Sequence, residues 1–217
     1  GKLVWVLDAY TTSNYYPYSQ KTAINNKEIN YIHDDILRED AKFLVGSLPD
    51  YFFEVDASST GKYHPKYAAG DKGLARHVKA AVKMAVELLS NPIIGKPYSD
   101  RDKDLIIIAL LIHDGLKYGK VKIDKYTKFD HPILISEYVR ELRDNLQMSD
   151  EDVQKICSMV ASHMGPWNTN SYSAVVLPIP KAPMEKFVHM CDYLASRRFI
   201  NLEFDADNNV IDESKEN

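Results

Sequence analysis

Asp104-Leu105-Ile106-Ile107-Ile108-Ala109-Leu110-Leu111-Ile112-His113-Asp114 decides how this chain is read. The eight residues from Leu105 to Ile112 are apolar without interruption, far short of the ~20 needed to span a bilayer. Asp100 to Asp104 supply acidic residues for the first turn of a helix, so the run is a helix apolar all round and hence buried. It ends on a histidine and an aspartate. Burying an ionised Asp beside a His costs several kcal/mol of desolvation unless a partner compensates it. A divalent cation is the strongest such partner, because imidazole and carboxylate suit Fe, Mn, Co, Ni or Zn. The pair alone leaves a second reading open, with the His at the helix C-terminal dipole and the Asp turned to water.

Outward from this run the pattern stays helical. Asp35 is placed to cap a helix through Ile36, Leu37, Ala41, Phe43, Leu44 and Leu48, stopped by Pro49. Residues 50–72 form a long connection containing Gly and Pro. A helix from Gly73 to Leu89 carries Leu74, His77, Val78, Ala81, Met84, Ala85 and Leu88 at helical spacing. Residues 115–129 are a Lys- and Tyr-rich loop, and His131-Pro132 opens a helix reaching Leu146. Ser149-Asp150-Glu151-Asp152 reads as a capping box for a helix ending near His163. Pro183 starts a last helix to about Phe199. The fold class is all-α.

His77 lies on the apolar stripe of its helix, His163 ends another, and Asp192 falls inside Phe187-Val188-His189-Met190-Cys191-Asp192-Tyr193-Leu194. One core histidine is commonplace. Several inward-facing His and Asp side chains on separate helices need mutual compensation, and a shared metal site provides it.

Composition sets outer bounds. The 217 residues have room for one large domain, or a domain plus an appendage. With 45% hydrophobic and 27% charged residues the chain is not globally disordered. A net charge of -4 argues against a nucleic-acid footprint over the whole surface, though not against a local phosphate pocket. Cys157 and Cys191 have no zinc spacing and are too few for a disulfide framework. No secretory leader pattern opens the sequence, so a cytoplasmic, membrane-free setting is the expectation.

The pattern resembles the HD phosphohydrolase superfamily, in which His … His-Asp … Asp lie on separate helices; the resemblance covers about residues 35–200. Gly73-Leu74-Ala75-Arg76-His77 is similar to that family's Gly-Leu-x-x-His helix start, and Asp192 stands where its last Asp is expected. The resemblance implies an HD-domain helical bundle in which His77, His113, Asp114 and Asp192 ligate a metal. In the binuclear branch two more histidines follow the His-Asp pair, and His131 and His163 fall in the right order, implying a second metal with Asp114 shared. His131, before Pro132, can equally be a surface residue at a helix start.

The family often reads His-Asp-x-Gly-Lys; here His113-Asp114-Gly115-Leu116-Lys117 keeps the Lys and moves the Gly. Lys117 is thus expected to hold substrate phosphate, with a solvated loop lysine as the alternative. Gly61-Lys62-Tyr63-His64-Pro65 is similar to segments before the metal helix in some HD proteins, including certain HD-type exoribonucleases. Lys62 and His64 are therefore candidate substrate contacts, with ordinary surface loop as the alternative, and Arg76 is a further candidate for holding substrate phosphate charge. His33-Asp34 and His189 are expected to be structural. The implied reaction is hydrolysis of a phosphoester, of a nucleotide or another small phosphorylated molecule, by water activated at one or two divalent transition metal ions, with Asp114 helping to deprotonate it. The alternatives are an HD-type nuclease using Lys120, Lys122, Lys125, Tyr126 and Lys128 as a track for single-stranded nucleic acid, and a non-catalytic metal or nucleotide sensor.

Residues 1–33 read differently. Leu3-Val4-Trp5-Val6-Leu7 is strand-like and the Tyr-, Thr-, Ser- and Asn-rich stretch after it has no helical period. This segment resembles part of a family of large, uncharacterised bacterial membrane proteins. It is expected to be an irregular or strand-containing appendage without catalytic role, dispensable for metal binding. The acidic stretch 201–217 is expected to be a tail with a frayed end.

Overall fold

Ser99 begins the helix on which the others are packed. In the computed structural model, which describes residues 17–60 and 64–211, eight α-helices and no named strand are found among those residues. They are α1 (Tyr18–Ile24), α2 (Asn26–Ile29), α3 (Asp35–Gly46), α4 (Gly73–Ser90), α5 (Asp100–Ile112), α6 (His131–Glu141), α7 (Asp150–Ser162) and α8 (Pro183–Ala195). The all-α expectation holds. Residues Asp104 to Ile112 of α5 are all buried, as an uninterrupted apolar helix must be. It packs against α2, α3, α4, α7 and α8 and so forms the axis of the bundle.

The entries to the helices are set by side chains that satisfy the free N–H groups of the first turn. Ser99 and Asp102 form a reciprocal capping box on α5, and Ser149 and Asp152 form another on α7. Asp34, rather than Asp35, caps α3 by accepting from the Leu37 amide at 3.0 Å. The backbone amides of His33 and Asp34 donate to the buried Asp104 carboxylate at 3.0 and 2.9 Å. The His33-Asp34 dipeptide is therefore a joint between α3 and the start of α5, at the opposite end of α5 from His113.

Helices α5 and α7 are each 13 residues long. Arg101 on α5 donates to both oxygens of Asp152 on α7, at 3.0 and 2.6 Å, which ties their N-termini. The residues at their C-caps are His113 and His163, whose rings lie 4.9 Å apart. Two parallel helices of equal length, fixed at one end, thus deliver a histidine side by side at the other.

One expectation needs correction. The segment before residue 34 is not an irregular appendage in its described part. Residues 18–29 are helical, and Ile29 and Ile32 have no exposed surface. Lys21 donates to the Leu48 carbonyl at 2.7 Å and pairs with Asp50, while Glu28 meets the buried Lys79 at 3.5 Å. Helices of seven and four residues are too short to show a period, so only packing reveals them. The strand-like run Leu3 to Leu7 lies outside the described residues. The acidic stretch after Asn201 packs on the bundle in its described part. Phe204 packs on Tyr67, with ring centroids 5.4 Å apart, and Val210 is buried. Residues 212–217 lie outside the described part.

Candidate metal centre

Five separate helices converge on one buried point. His77 comes from the second turn of α4, where Gly73 starts the helix with its Cα against the Ala68 carbonyl. A Cβ at Gly73 would collide with that oxygen, which gives the Gly-Leu-x-x-His start its physical reason. His113 caps α5, with Asp114 the next residue; His131 opens α6; His163 caps α7; Asp192 lies on α8. All four histidines and Asp114 are buried, while the Asp192 side chain keeps 17% of its surface exposed. Solvent thus meets the cluster at Asp192.

Asp114 is at the centre. Its Oδ2 faces the Nε2 atoms of His77 and His113, each at 3.8 Å. Its Oδ1 faces the Nε2 atoms of His131 and His163, at 3.1 and 3.6 Å. Asp192 Oδ1 is 2.9 Å from His77 Nε2 and 3.4 Å from His113 Nε2. His77, His113 and Asp192 present possible ligand atoms within 4.8 Å of one another, and so do His113, Asp114 and His163.

The chemistry of this donor set fits cations. The Nδ1 atoms of His113, His131 and His163 each sit 2.7 Å from a backbone carbonyl, those of Leu110, Lys128 and Val160. Only an Nδ1–H can meet a carbonyl favourably, so in the neutral imidazole the Nε2 lone pair is left pointing into the cluster. There His131 Nε2 and His163 Nε2 face each other at 3.3 Å, lone pair to lone pair. His113 Nε2 is buried with no hydrogen-bond partner. Such histidines, locked by backbone acceptors behind them, are what metal ligation requires.

Charge tells the same story. Burial alone would raise the Asp114 and Asp192 carboxyls. Lys117 and His113 at the first, and His113 and His77 at the second, instead hold both well below the usual carboxylate range. Burial pushes His113 down, but the two carboxylates outweigh it and leave it raised; for His131 burial wins and the shift is downward.

Lys117 reaches the cluster rather than solvent: it is buried and its Nζ is 2.6 Å from Asp114 Oδ2. The ring of His64 lies 4.9 Å from that of His77, edge to face, and its buried Nδ1 has no hydrogen-bond partner. Burial, with His77 and Lys117 beside it, brings its pKa down to about 3, so it is neutral at physiological pH. Arg76 does not join them. Its guanidinium donates to the Tyr67 and Ala69 carbonyls and to Asn208 Oδ1, which corrects its assignment as a substrate contact. An arginine one position before a ligand on a helix points away from the ligand's face, and here it braces the loop before α4 and the turn after α8. Lys62 lies outside the described residues. His189 is structural, its Nδ1 2.7 Å from the His163 carbonyl.

Histidines and aspartates from five helices gather around one buried carboxylate, an arrangement that could hold metal ions. The HD domain family matches residues 73–197, and the chain belongs to it. HD domains are in general metal-dependent phosphohydrolases. A second family, the uncharacterised protein family UPF0182, matches residues 1–37, a stretch that ends inside α3. Two UPF0182 proteins from type A strains of Clostridium botulinum are each 37% identical over 86 residues, which is 38% of this chain and 8% of their own length. No solved structure matches. No helix among the described residues is long and apolar enough to cross a membrane.

Proposed function

We propose that the chain hydrolyses the phosphoester of a small phosphorylated molecule, with nucleotides as the substrate class, at a pair of divalent transition metal ions. The observation that carries this reading is the division of Asp114 between two histidine pairs, Oδ2 toward His77 and His113 and Oδ1 toward His131 and His163. A carboxylate so placed is shaped to bridge. His77, His113, Asp192 and Asp114 Oδ2 would hold one ion, and His131, His163 and Asp114 Oδ1 the other. Bound there, such ions lower the pKa of water toward ~7 and offset charge on a phosphate oxygen.

The chain's own residues provide the rest. The carbonyls of Leu110, Lys128 and Val160 fix three ring orientations before any ligand arrives, so little reorganisation accompanies binding. Lys117 contributes a positive charge beside Asp114, available to a substrate phosphate. His64, neutral and unpaired at Nδ1, can exchange a hydrogen bond with a phosphate oxygen. Lys62, two positions earlier in sequence, is proposed for substrate phosphate as well.

The test is elemental analysis of protein purified without chelator, followed by phosphate release from a panel of nucleotides and generic phosphoesters. The wild type should carry transition metal and release phosphate. An Asp114→Asn variant should lose both, while His33→Ala, at the far end of α5, should keep both. Full metal occupancy in Asp114→Asn would refute the assignment.

A further inference from the structure

Beyond the metal ligands, the turn after α7 and the C-terminal end of α8 bring together a second group of side chains, Trp167, Tyr193 and Arg197, next in sequence to His163 and Asp192. Tyr193 follows Asp192 directly, and its ring stacks on that of Trp167, with centroids 5.6 Å apart and planes 15° from parallel. The Arg197 guanidinium stands over the same Tyr193 ring at 4.2 Å from its centroid. Trp167 nevertheless remains half exposed. Among the described residues its only ring neighbours are Tyr193, stacked, and His189, tilted at its side with centroids 6.1 Å apart.

The backbone that carries Trp167 is the direct continuation of His163. Gly165 turns it with a φ of +62°, and a Cβ there would strike the His189 ring, so the turn needs glycine. The His189 Nδ1 contact with the His163 carbonyl pins α8 to this same turn at 2.7 Å. The half-exposed indole, stacked on the phenol behind it, keeps aromatic surface that a planar group can cover.

We propose that Trp167, backed by Tyr193 and Arg197, is a nucleobase subsite flanking the metal cluster. The inference rests on the phosphohydrolase reading and deepens it by saying which part of a nucleotide is recognised, and where. The base stacks on the indole while the phosphate lies toward Asp192. Every base has a π face, so the shelf accepts purines and pyrimidines alike.

The test uses the full chain with Trp5→Phe, which leaves Trp167 as its single tryptophan. Adenosine 5′-monophosphate should quench its fluorescence saturably, and ribose 5-phosphate, which has the phosphate but no base, should not at equal concentration. By calorimetry, Trp167→Leu should weaken adenosine 5′-monophosphate about ten-fold, and Trp167→Phe, which keeps a ring, should restore most of that loss. Equal affinity of the wild type for the two phosphates would overturn the proposal. So would an equal loss in the Leu and Phe variants, which would mark a collapsed turn, or saturation of the indole by a protein partner without any response to nucleotide. Base-dependent binding with no phosphate released would keep the subsite and reject the hydrolase reading, so the two fail separately.

Discussion

The tie between α5 and α7 lends itself to a quantitative test. Asp152→Asn removes one charge while keeping the shape and the capping oxygen. The Arg101 hydrogen bonds, against the opposing effect of burial and with help from Ser149, bring the Asp152 carboxyl down from 3.8 to about 2. At ~1.36 kcal/mol per pH unit, that depression corresponds to at most about 2.5 kcal/mol of stability. The Asp152 side chain is buried but Arg101 is 45% exposed, so solvent screens the pair and about 1–2 kcal/mol is the working expectation. For a chain of this size that lowers Tm by about 3–6 °C. The folded value lies below the unfolded one. The stabilisation is therefore complete above the unfolded-state value near 3.8 and lost as pH falls through about 2. The difference between wild type and Asp152→Asn should then shrink to about half by pH 3. Urea melts followed by circular dichroism, in steps from pH 7 to pH 3, measure it directly. A loss of the same size at every pH would refute the reasoning, because it would mean that the substitution acts through packing. Metal content should be unchanged, since no ligand is touched.

Three further outcomes are expected. His131→Ala should lower bound metal by about one equivalent and leave the other ion on His77, His113 and Asp192; loss of all metal would show one indivisible site. Ile29→Ala, at a position with no exposed surface, should cost about 2–5 kcal/mol, read as a lower Tm; an unchanged Tm would return residues before 34 to the status of an appendage. Gly73→Ala should destabilise by about 1–3 kcal/mol because its Cβ meets the Ala68 carbonyl; an equally stable variant would show that the loop before α4 yields freely.

The unbroken run from Leu105 to Ile112 reads as a buried helix, whereas the His-Asp pair at its end was compatible with either a buried ligand pair or an Asp turned to water until the packing of the other helices was known. The stripe through His77, the capping box at Ser149 and the prolines at the starts of two helices are local signals with local causes, and each marks a helix that the structure contains. Other features depend on residues far apart in sequence, where no period operates. Asp114 meeting two histidine pairs, Tyr193 stacking on Trp167, and Arg76 spending its donors on the loop before its own helix are such features. The short helices before residue 34 were illegible for a related reason. A few residues of helix are not stable by themselves, and burial of Ile29 and Ile32 against the bundle is what holds them. Sequence by itself determined which residue types would be inside and on which kind of element. Tertiary structure decided which of them face one another, because that depends on packing between helices and not on the order of residues along any one of them.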